Sequence, residues 1–423
     1  MEIQAVKGTK DILPNEINIW RAIETEAKKI CANFAYQEIR TPLLEEERLF
    51  SRSIGESSDI VRKEMYTFLD RKERRLCLRP EGTASVVRAY LEHGLDKDAS
   101  IAKFFYFGPM FRAERPQAGR LRQFHHLGVE AIGADSPYLD IEVISLAVTI
   151  IEKIGLKGYA LQINSIGCPE DRQRYKLVLE NLLKPKLKFL CPDCHSRYKI
   201  NLLRIFDCKN LECKKIVEQL PHIIDSLCEG CLQHFKCVQD GLKNLDIKYE
   251  ISPYLVRGLD YYTRTCFEII SPHLGAQNAL GAGGRYDNLV SDLGGPSRPA
   301  IGFALGIERL ITALSAEKEK INVCFAEEPL QLFICTLGEK AKQAVFPLVY
   351  SLRKAGISCE INYQDKSLKG QMRLADKLGA VSAAILGEDE LRKGVIIVRD
   401  MRTKEQKEVP LINLNMLMTE LKK

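Results

Sequence analysis

The most constraining stretch of the sequence covers residues 103–133, KFFYFGPMFRAERPQAGRLRQFHHLGVEAIG. Residues 104–111 are aromatic and apolar, as is typical of a buried strand, and residues 123–132 predict a second strand. The loop between them carries four arginines: Arg112, Arg115, Arg120 and Arg122. Arginine forks bind phosphate groups in a planar, bidentate way and stay charged. The stretch therefore predicts a hairpin with a phosphate-binding loop, and the alternative is a solvated, charged turn.

Composition sets broad limits on the class of protein. At 423 residues the chain is long enough for two or three domains, and its 45% hydrophobic and 28% charged residues are ordinary for a soluble protein. We find no membrane span and no signal peptide in the sequence. The net charge of +6 permits a nucleic-acid partner without requiring one. Fourteen cysteines without a secretion signal favour reduced thiols in the cytoplasm, with metal binding as an option.

Three further segments have clear local patterns. Apolar residues at three- and four-residue steps predict a helix over about 15–35, followed by a strand over 36–40. Residues 76–87 run from a strand into a helix, where Thr83 would cap the helix or would line a pocket together with Glu81. Residues 300–310 predict a strand, a glycine turn and a helix with Arg309 in its first turns.

A segment over about 167–248 differs in character, because seven of the cysteines fall between residues 191 and 237. Tetrahedral zinc takes four thiolate or imidazole ligands that short loops hold in place. The two CxxC pairs therefore predict a candidate structural zinc site at Cys191, Cys194, Cys228 and Cys231. Substitute ligands are Cys208, Cys213, His195 and His234, and the alternatives are buried free thiols or the remnant of a lost site.

The last hundred residues form a pattern of their own after a boundary near 320–329. Strand and helix patterns alternate over residues 330–398, which predicts a small α/β domain with a mostly parallel sheet. The sequence has no HExxH and no GxSxG motif of covalent or metal-assisted hydrolysis. Arginines, glycines and acidic residues favour a reaction that depends on positioning and charge stabilisation.

Taken together, these strings resemble the class II aminoacyl-tRNA synthetases in their histidyl form. Residues 103–133 resemble motif 2, the helix and strand over 15–40 resemble motif 1, and residues 300–310 resemble motif 3. The strings RGLDYYTRTCFE, from residue 257, and LGAGGRYDNLV, from residue 280, resemble the two histidine signatures of the family.

The resemblance implies a fold and an activity. The expected fold is an antiparallel-sheet catalytic core over residues 1–325, with the cysteine-rich insertion at about 167–248, and a C-terminal α/β anticodon-binding domain over 326–423. The expected activity is the ATP-dependent attachment of histidine to tRNA through histidyl-adenylate, with release of AMP and pyrophosphate. Magnesium would accompany ATP, and the chain would act in the cytoplasm as a homodimer formed through motif 1, contacting the tRNA at its acceptor end and anticodon.

The resemblance also implies roles for matching residues. Catalysis would use Arg112 and Arg257, and tRNA would contact Gln117 and Arg122. The residues expected to contact ATP are Arg112, Glu114, Arg120 and Arg309. The residues expected to contact histidine are Glu81, Thr83, His126, Glu130, Arg257, Tyr261, Tyr262 and Tyr286. Within the pocket, Glu81 and Tyr262 are expected around the imidazole, and Glu130 at the α-amino group. His126 stands where the family usually has glutamine, so we expect the KM for histidine to depend on pH below about pH 7.

Three alternative functions compete with this interpretation. The first is a non-catalytic, histidine-sensing paralogue, the regulatory subunit of ATP phosphoribosyltransferase, which lacks the C-terminal domain and has a decayed RGLDYY string. This chain has both the C-terminal domain pattern and an intact RGLDYY string at residues 257–262, which argues against the paralogue. The second is a class II enzyme for threonine or proline, against which the two histidine signatures argue. The third is a zinc-dependent RNA-binding module, which would rest on the cysteines alone.

Overall fold

The structure is a computed structural model that describes residues 3–56, 58–95, 97, 100–117, 119–208, 210–256, 259–275, 277–317, 329–364 and 366–411. The chain divides into two units, Met1–Cys324 and Phe325–Lys423. The helices described in the first unit are α1 (Ile17–Asn33), α2 (Glu47–Ile54), α3 (Thr83–Glu92), α4 (Pro137–Lys153), α5 (Pro169–Leu183), α6 (Pro192–Ile200), α7 (Leu211–Val217), α8 (Glu229–Asn244), α9 (Leu289–Asp292) and α10 (Ile307–Ala316). Short 3-10 segments are Lys184–Phe189, Leu202–Asp207, Ile223–Ser226 and Pro272–Leu274, and Ile60–Glu64 is a π-helical turn.

The strands described in the first unit are β1 (Gln37–Glu38), β2 (Leu44–Glu46), β3 (Tyr66–Leu69), β4 (Arg75–Leu78), β5 (Ala102–Phe111), β6 (Gln123–Ile132), β7 (Ala160–Ser165), β8 (Glu250–Ile251), β9 (Thr263–Ile270), β10 (Ala279–Arg285) and β11 (Ala300–Gly306). Among the described residues, eight of them form one sheet in the order β1-β5-β6-β11-β10-β9-β7-β8. The pairs β1/β5 and β7/β8 are parallel and the inner pairs are antiparallel. The predicted antiparallel core is therefore confirmed, and the hairpin β5–β6 forms part of that sheet.

The two faces of the sheet differ because side chains alternate along a strand. On β6, Leu127, Val129 and Ala131 are buried in a core that also contains residues of α1, α4 and α10. His126 and Glu130 lie at the alternate positions, on the opposite face. One face of the hairpin thus packs on this core, while the other carries His126 and Glu130, which the sequence predicted for the site, beside residues of a second core.

A buried ionic cluster joins the sheet to the helices on its apolar face. Arg285, at the end of β10, is fully buried and forms ion pairs with Asp140 of α4 and with Asp287. His234 of α8 contacts the other oxygen of Asp140 through Nε2, at 2.7 Å. The Arg285 guanidinium also donates to the carbonyl of Ala134, at 2.7 Å. Because buried charges are costly unless they are paired, this cluster fixes how α4, α8 and β10 pack.

The inserted segment consists of α5, α6, α7, α8 and the three 3-10 segments from Lys184 to Ser226. Its helices α6 and α7 have nine and seven residues. Helices this short are marginal unless packing or a cross-link stabilises them.

The second unit contains α11 (Glu339–Lys354), α12 (Leu368–Lys377), α13 (Glu388–Lys393), β12 (Leu332–Thr336), β13 (Cys359–Ile361), β14 (Ser382–Leu386), β15 (Val395–Asp400) and β16 (Gln406–Pro410). The described strands form a sheet in the order β13-β12-β14-β15-β16. Only β13/β12 and β12/β14 are parallel, whereas β14/β15 and β15/β16 are antiparallel. The predicted mostly parallel sheet is wrong on this point, because β15 and β16 pair as a hairpin whose second strand the sequence pattern missed.

In the described part of the chain, we find no helix with both the length and the apolar character needed to cross a membrane.

The ionic cluster leads to a prediction about stability. Replacing Arg285 with methionine leaves Asp140 without its arginine, which should lower the free energy of unfolding by about 3–5 kcal/mol. Denaturant unfolding followed by the fluorescence of Trp20, the single tryptophan of the chain, measures this loss. The control is Arg74→Met, whose exposed pair with Asp70 should contribute little to stability because solvent screens it. Equal effects of the two substitutions would contradict the structural role of the cluster.

Candidate active site

The polar face of the central strands is lined by small residues. In the strand register, Glu130 of β6 lies opposite Gly302 of β11, and Gly302 lies opposite Gly284 of β10. A Cβ atom on Gly302 would lie 2.0 Å from the carboxylate of Glu130, and one on Gly128 would lie 2.0 Å from the ring of Tyr106. These glycines therefore leave the space in which the two larger polar side chains lie on the sheet.

Glu130 is the centre of the polar cluster on this face. Its side chain is fully buried and accepts hydrogen bonds from Thr83 Oγ1 at 2.7 Å, from the hydroxyl of Tyr106 at 3.3 Å, and from the hydroxyl of Tyr286. No lysine or arginine among the described residues forms an ion pair with it. Burial raises the pKa of Glu130 to about 8. The carboxyl group is thus surrounded by neutral donors in a place where a cationic or hydrogen-bonding ligand would be bound strongly.

Glu81 holds the start of α3. Its two carboxylate oxygens accept the backbone N–H groups of Thr83, at 2.6 Å, and Ala84, at 2.9 Å. Glu81 therefore supplies the side-chain acceptors at the start of α3. Of the two roles that the sequence left open for Thr83, capping is excluded, because its hydroxyl donates to Glu130. Burial raises the pKa of Glu81. This capping fixes the carboxylate at the edge of the pocket next to Pro80, whose carbonyl accepts from Nε of Arg112 at 3.0 Å.

Three tyrosines close the pocket beside Glu130. The rings of Tyr261 and Tyr262 lie 4.8 Å apart, and the rings of Tyr261 and Tyr286 lie 5.7 Å apart. All three are buried. Burial, with the nearby charge of Glu130, raises the pKa of Tyr286 well above its ordinary value, so its hydroxyl stays protonated and donates. The structure thus brings together the predicted residues Thr83, Glu130 and Tyr286, with Tyr261 and Tyr262 against them.

His126 lies on the same face of β6, nearer the arginine loop. Burial and the positive charges of Arg112 and Arg309 lower its pKa to about 3. The ring is therefore neutral from pH 6 to pH 8. This corrects the expectation that His126 makes the KM for histidine depend on pH below pH 7, because its neighbours prevent it from gaining a proton there.

The arginine loop carries an excess of positive charge. Arg120 pairs with Glu114 at 2.7 Å, and Arg112 lies 3.9 Å from the same carboxylate and stacks on the ring of Phe124. Arg309 donates to the carbonyls of Gly119, at 3.0 Å, and Ala279, at 2.6 Å. Burial, together with the charge of Arg120, lowers the pKa of Arg309. A group of arginines held this closely around one carboxylate is suited to a polyphosphate ligand.

Two residues of the site, one near the arginine loop and one beside Glu130, were not predicted from the sequence. Glu64 adds a second carboxylate, and burial with the charge of Glu114 raises its pKa. Tyr106 reaches Glu130 from β5. The period-2 alternation of β5 would have placed Tyr106 on the polar face once the register with β6 was known, whereas no local signal marks Glu64.

The two residues predicted to contact tRNA differ in the structure. Gln117 is exposed at the tip of the loop, where its backbone exchanges hydrogen bonds with Arg120. Arg122 instead donates to the carbonyls of Glu114 and Lys7, both at 3.2 Å. Its side chain therefore joins the loop to the N-terminal segment, and its contact with tRNA stays a prediction. The predicted catalytic residue Arg257 lies outside the described residues.

The cysteines of the insertion form two clusters. The side-chain ligand atoms of Cys191, Cys194, Cys208 and Cys213 lie within 4.8 Å of one another, and those of Cys168, Asp171, Cys228 and Cys231 form a second such group. The predicted set of Cys191, Cys194, Cys228 and Cys231 is therefore wrong as a single site, because each CxxC pair meets a different partner. Among the named substitutes, Cys208 and Cys213 join the first pair, whereas His195 is exposed and His234 contacts Asp140.

Comparisons with known proteins agree with this geometry. The family model described as histidyl-tRNA synthetase matches residues 8–170 and 207–310, and the model described as anticodon binding domain matches residues 331–421. The histidine–tRNA ligase of Halothermothrix orenii is 50% identical over 414 residues, which cover 98% of each chain. That of Desulfitobacterium hafniense is 48% identical over 411 residues, covering 97% of this chain and 96% of the relative. The crystal structure of apo S. aureus histidyl-tRNA synthetase superposes with a TM-score of 0.81 at 38% identity, covering 98% of each chain.

The mainly antiparallel sheet, the arginine loop and the separate C-terminal unit are those of a class II aminoacyl-tRNA synthetase. Within that class, the chain belongs to the histidyl-tRNA synthetase family.

The raised pKa of Glu130 predicts a dependence of stability on pH. A carboxyl whose folded-state pKa is raised stabilises the fold fully below its unfolded pKa, and this stability is lost as pH rises through about 8. Glu130→Gln does not titrate, so its melting temperature relative to wild type should rise between pH 6 and pH 9. Melting curves at several pH values test this, with the exposed Glu212→Gln as the control that should show a constant difference. A constant difference for Glu130→Gln as well would contradict the assignment.

Proposed function

We propose that the chain attaches histidine to tRNA in two steps at the pocket around Glu130 and the adjoining arginine loop. The observation that carries the proposal is that one hairpin, β5–β6, holds the arginine cluster at its loop and Glu130 on its strand. A ligand in the pocket is thereby brought next to a ligand on the arginines. Histidine and ATP fit these two places, because one offers a polar ring and an α-ammonium group, and the other a triphosphate.

The regulatory paralogue is the competing function, and two observations disfavour it. The anticodon-binding model matches residues 331–421, and ligase relatives align over nearly their full length. Transfer of labelled histidine to bacterial tRNA in the presence of MgATP distinguishes the two. Charging of tRNA supports the ligase, whereas histidine binding without charging would support the paralogue.

Histidine lies in the pocket with its imidazole toward Glu130 and its α-amino group toward Glu81. The reacting carboxylate and the α-amino group share one carbon, so both must lie near the arginine that meets the α-phosphate. Glu81 is next to Pro80, which Arg112 contacts, whereas Glu130 is buried among Thr83 and the tyrosines. This orientation reverses the one expected from the sequence. A neutral imidazole then donates to Glu130, and Tyr262 completes the polar surroundings of the ring.

Activation proceeds by positioning and charge stabilisation. A carboxylate oxygen of histidine attacks the α-phosphorus of ATP in line, the bond to the bridging oxygen breaks, and pyrophosphate leaves with the electron pair of that bond. Arg112 stabilises the negative charge on the α-phosphate, while Arg309 and Arg120 hold the outer phosphates of MgATP. The family resemblance adds Arg257 as a second arginine at the α-phosphate. His126, neutral and without charge repulsion toward these arginines, lies between the two substrates.

The second step transfers histidine to RNA. The terminal ribose hydroxyl of tRNA attacks the carbonyl carbon of histidyl-adenylate, an ester bond forms, and AMP leaves. Gln117 contacts the acceptor end, because it is exposed at the tip of the loop beside the arginines. The unit Phe325–Lys423 binds the anticodon, as its family match implies. The chain acts as a cytoplasmic homodimer that assembles through α1 and β1, which sedimentation or light scattering tests.

Removing Arg112 should slow the activation step. In Arg112→Ala the α-phosphate loses a charged donor, so kcat for histidine-dependent pyrophosphate exchange should fall about 10²-fold or more. The matched control is Arg115→Ala, which removes an exposed arginine of the same loop and should leave kcat near the wild-type value. A change in the KM for histidine alone, at unchanged kcat, would assign Arg112 to substrate binding instead.

The orientation of histidine predicts how two variants respond to an analogue. Imidazolepropionate is histidine without its α-amino group, so the wild type should bind histidine more tightly. In Glu81→Gln this preference should largely disappear, because the partner of the α-amino group is gone. In Glu130→Gln both ligands should weaken together and the preference should persist. Calorimetric titration measures all six affinities, for two ligands on the wild type and the two variants, and the opposite pattern would return Glu130 to the α-amino group.

A further inference from the structure

We propose that the chain binds a structural zinc ion at Cys191, Cys194, Cys208 and Cys213. This site lies in the inserted segment, separate in sequence from the residues assigned to histidine and ATP. It does not depend on the proposed catalytic roles.

The distances between the sulfur atoms fit a tetrahedral zinc ion. A Zn–S bond is about 2.3 Å long, so two sulfurs of a tetrahedral site lie about 3.8 Å apart. Sγ of Cys191 lies 3.8 Å from Sγ of Cys208, and all four sulfurs lie within 4.8 Å of one another. A disulfide needs about 2.05 Å, and these four residues are free thiols. Four thiols that converge without bonding in pairs have the geometry of an ion site.

The backbone presents these sulfurs in a way that suits thiolates. Cys191 is the N-cap of α6 and Cys194 is its third residue, so both lie at the positive end of a nine-residue helix. The backbone N–H of Cys191 donates to Sγ of Cys213, at 3.2 Å. Three of the four cysteines are buried, and only Cys191 is partly exposed. The cluster is therefore enclosed by protein on most sides, as a site with four protein ligands requires.

A zinc ion would cross-link short elements of the inserted segment. The four ligands come from α6, from the residue that follows the 3-10 segment Leu202–Asp207, and from α7. These pieces are six to nine residues long and would be marginal as isolated helices. Binding exchanges four thiol protons for one Zn²⁺ and leaves a net charge of −2 on the site.

The second cluster is less suited to a metal ion, because the carboxylate among its four ligands already has partners in the protein. The carboxylate of Asp171 already accepts the backbone N–H groups of Cys168, at 3.3 Å, and Cys228, at 2.9 Å, and it pairs with Arg174. An arginine on the carboxylate competes with a cation for the same oxygens. The proposal is therefore confined to the four-cysteine cluster.

Metal content of the full chain tests the proposal. The proteins are purified without chelator from zinc-supplemented medium, and zinc is counted per chain by mass spectrometry. Cys194→Ser should contain about one zinc ion per chain less than wild type. The matched control, Cys237→Ser, removes a thiol of the same insertion outside both clusters and should match wild type. Retention of the wild-type zinc content by Cys194→Ser would overturn the proposal.

If Cys194→Ser fails to fold, a second measurement on the wild-type protein tests the proposal. Wild-type protein stripped with a chelator is titrated with Co²⁺, which gives thiolate-to-cobalt charge-transfer bands and intense visible bands in a tetrahedral four-sulfur site. Such bands, removed by added Zn²⁺, support the site. A wild-type protein that contains no zinc, shows no such bands and has all four thiols open to alkylation would overturn it.

Discussion

The site depends on one constraint, which is the burial of Glu130 in the middle of a sheet. A carboxyl group without access to water must be hydrogen-bonded, and here Thr83, Tyr106 and Tyr286 supply the donors. Those residues come from three different segments, so satisfying one carboxyl group fixes α3, β5 and the end of β10 relative to β6. The facing glycines are part of the same constraint, because a side chain at Gly302 would occupy the place of the carboxylate.

The arginine loop depends on the same hairpin. Arg112 leaves the end of β5 and is held by the carbonyl of Pro80, while Arg309 reaches the loop from α10. Both arginines are anchored by backbone carbonyls, which do not neutralise their charge, and the one carboxylate paired with Arg112 among the described residues, that of Glu114, is shared with Arg120. The cluster therefore remains available to phosphate groups, and burial together with its field lowers the pKa of His126 and keeps the ring neutral. Two opposite requirements, a buried acid and an excess of positive charge, are met on neighbouring parts of one hairpin.

The sequence predicted the elements of this site better than their contacts. The hydrophobic pattern located β5, β6 and α1 within two residues, because long periodic segments determine their own structure. It did not pair the cysteines correctly, since Cys191-Cys194 and Cys228-Cys231 are equivalent as local motifs and only the tertiary fold separates them. It also left two roles open for Thr83, because the bond to Glu130 that decides against capping joins residues 47 positions apart. The direction of β15 was missed for a similar reason, as strand pairing is not a local property.

The most direct test of the account is amino-acid-dependent exchange of labelled pyrophosphate into ATP, run with each of the twenty amino acids, magnesium and no tRNA. The account predicts exchange with histidine alone. The buried polar groups around Glu130 form hydrogen bonds with an imidazole, whereas the side chain of any other amino acid in that place would leave them unpaired. Exchange with a different amino acid would contradict the pocket assignment. The absence of exchange with all twenty, in protein that still binds histidine, would contradict the proposed catalysis itself.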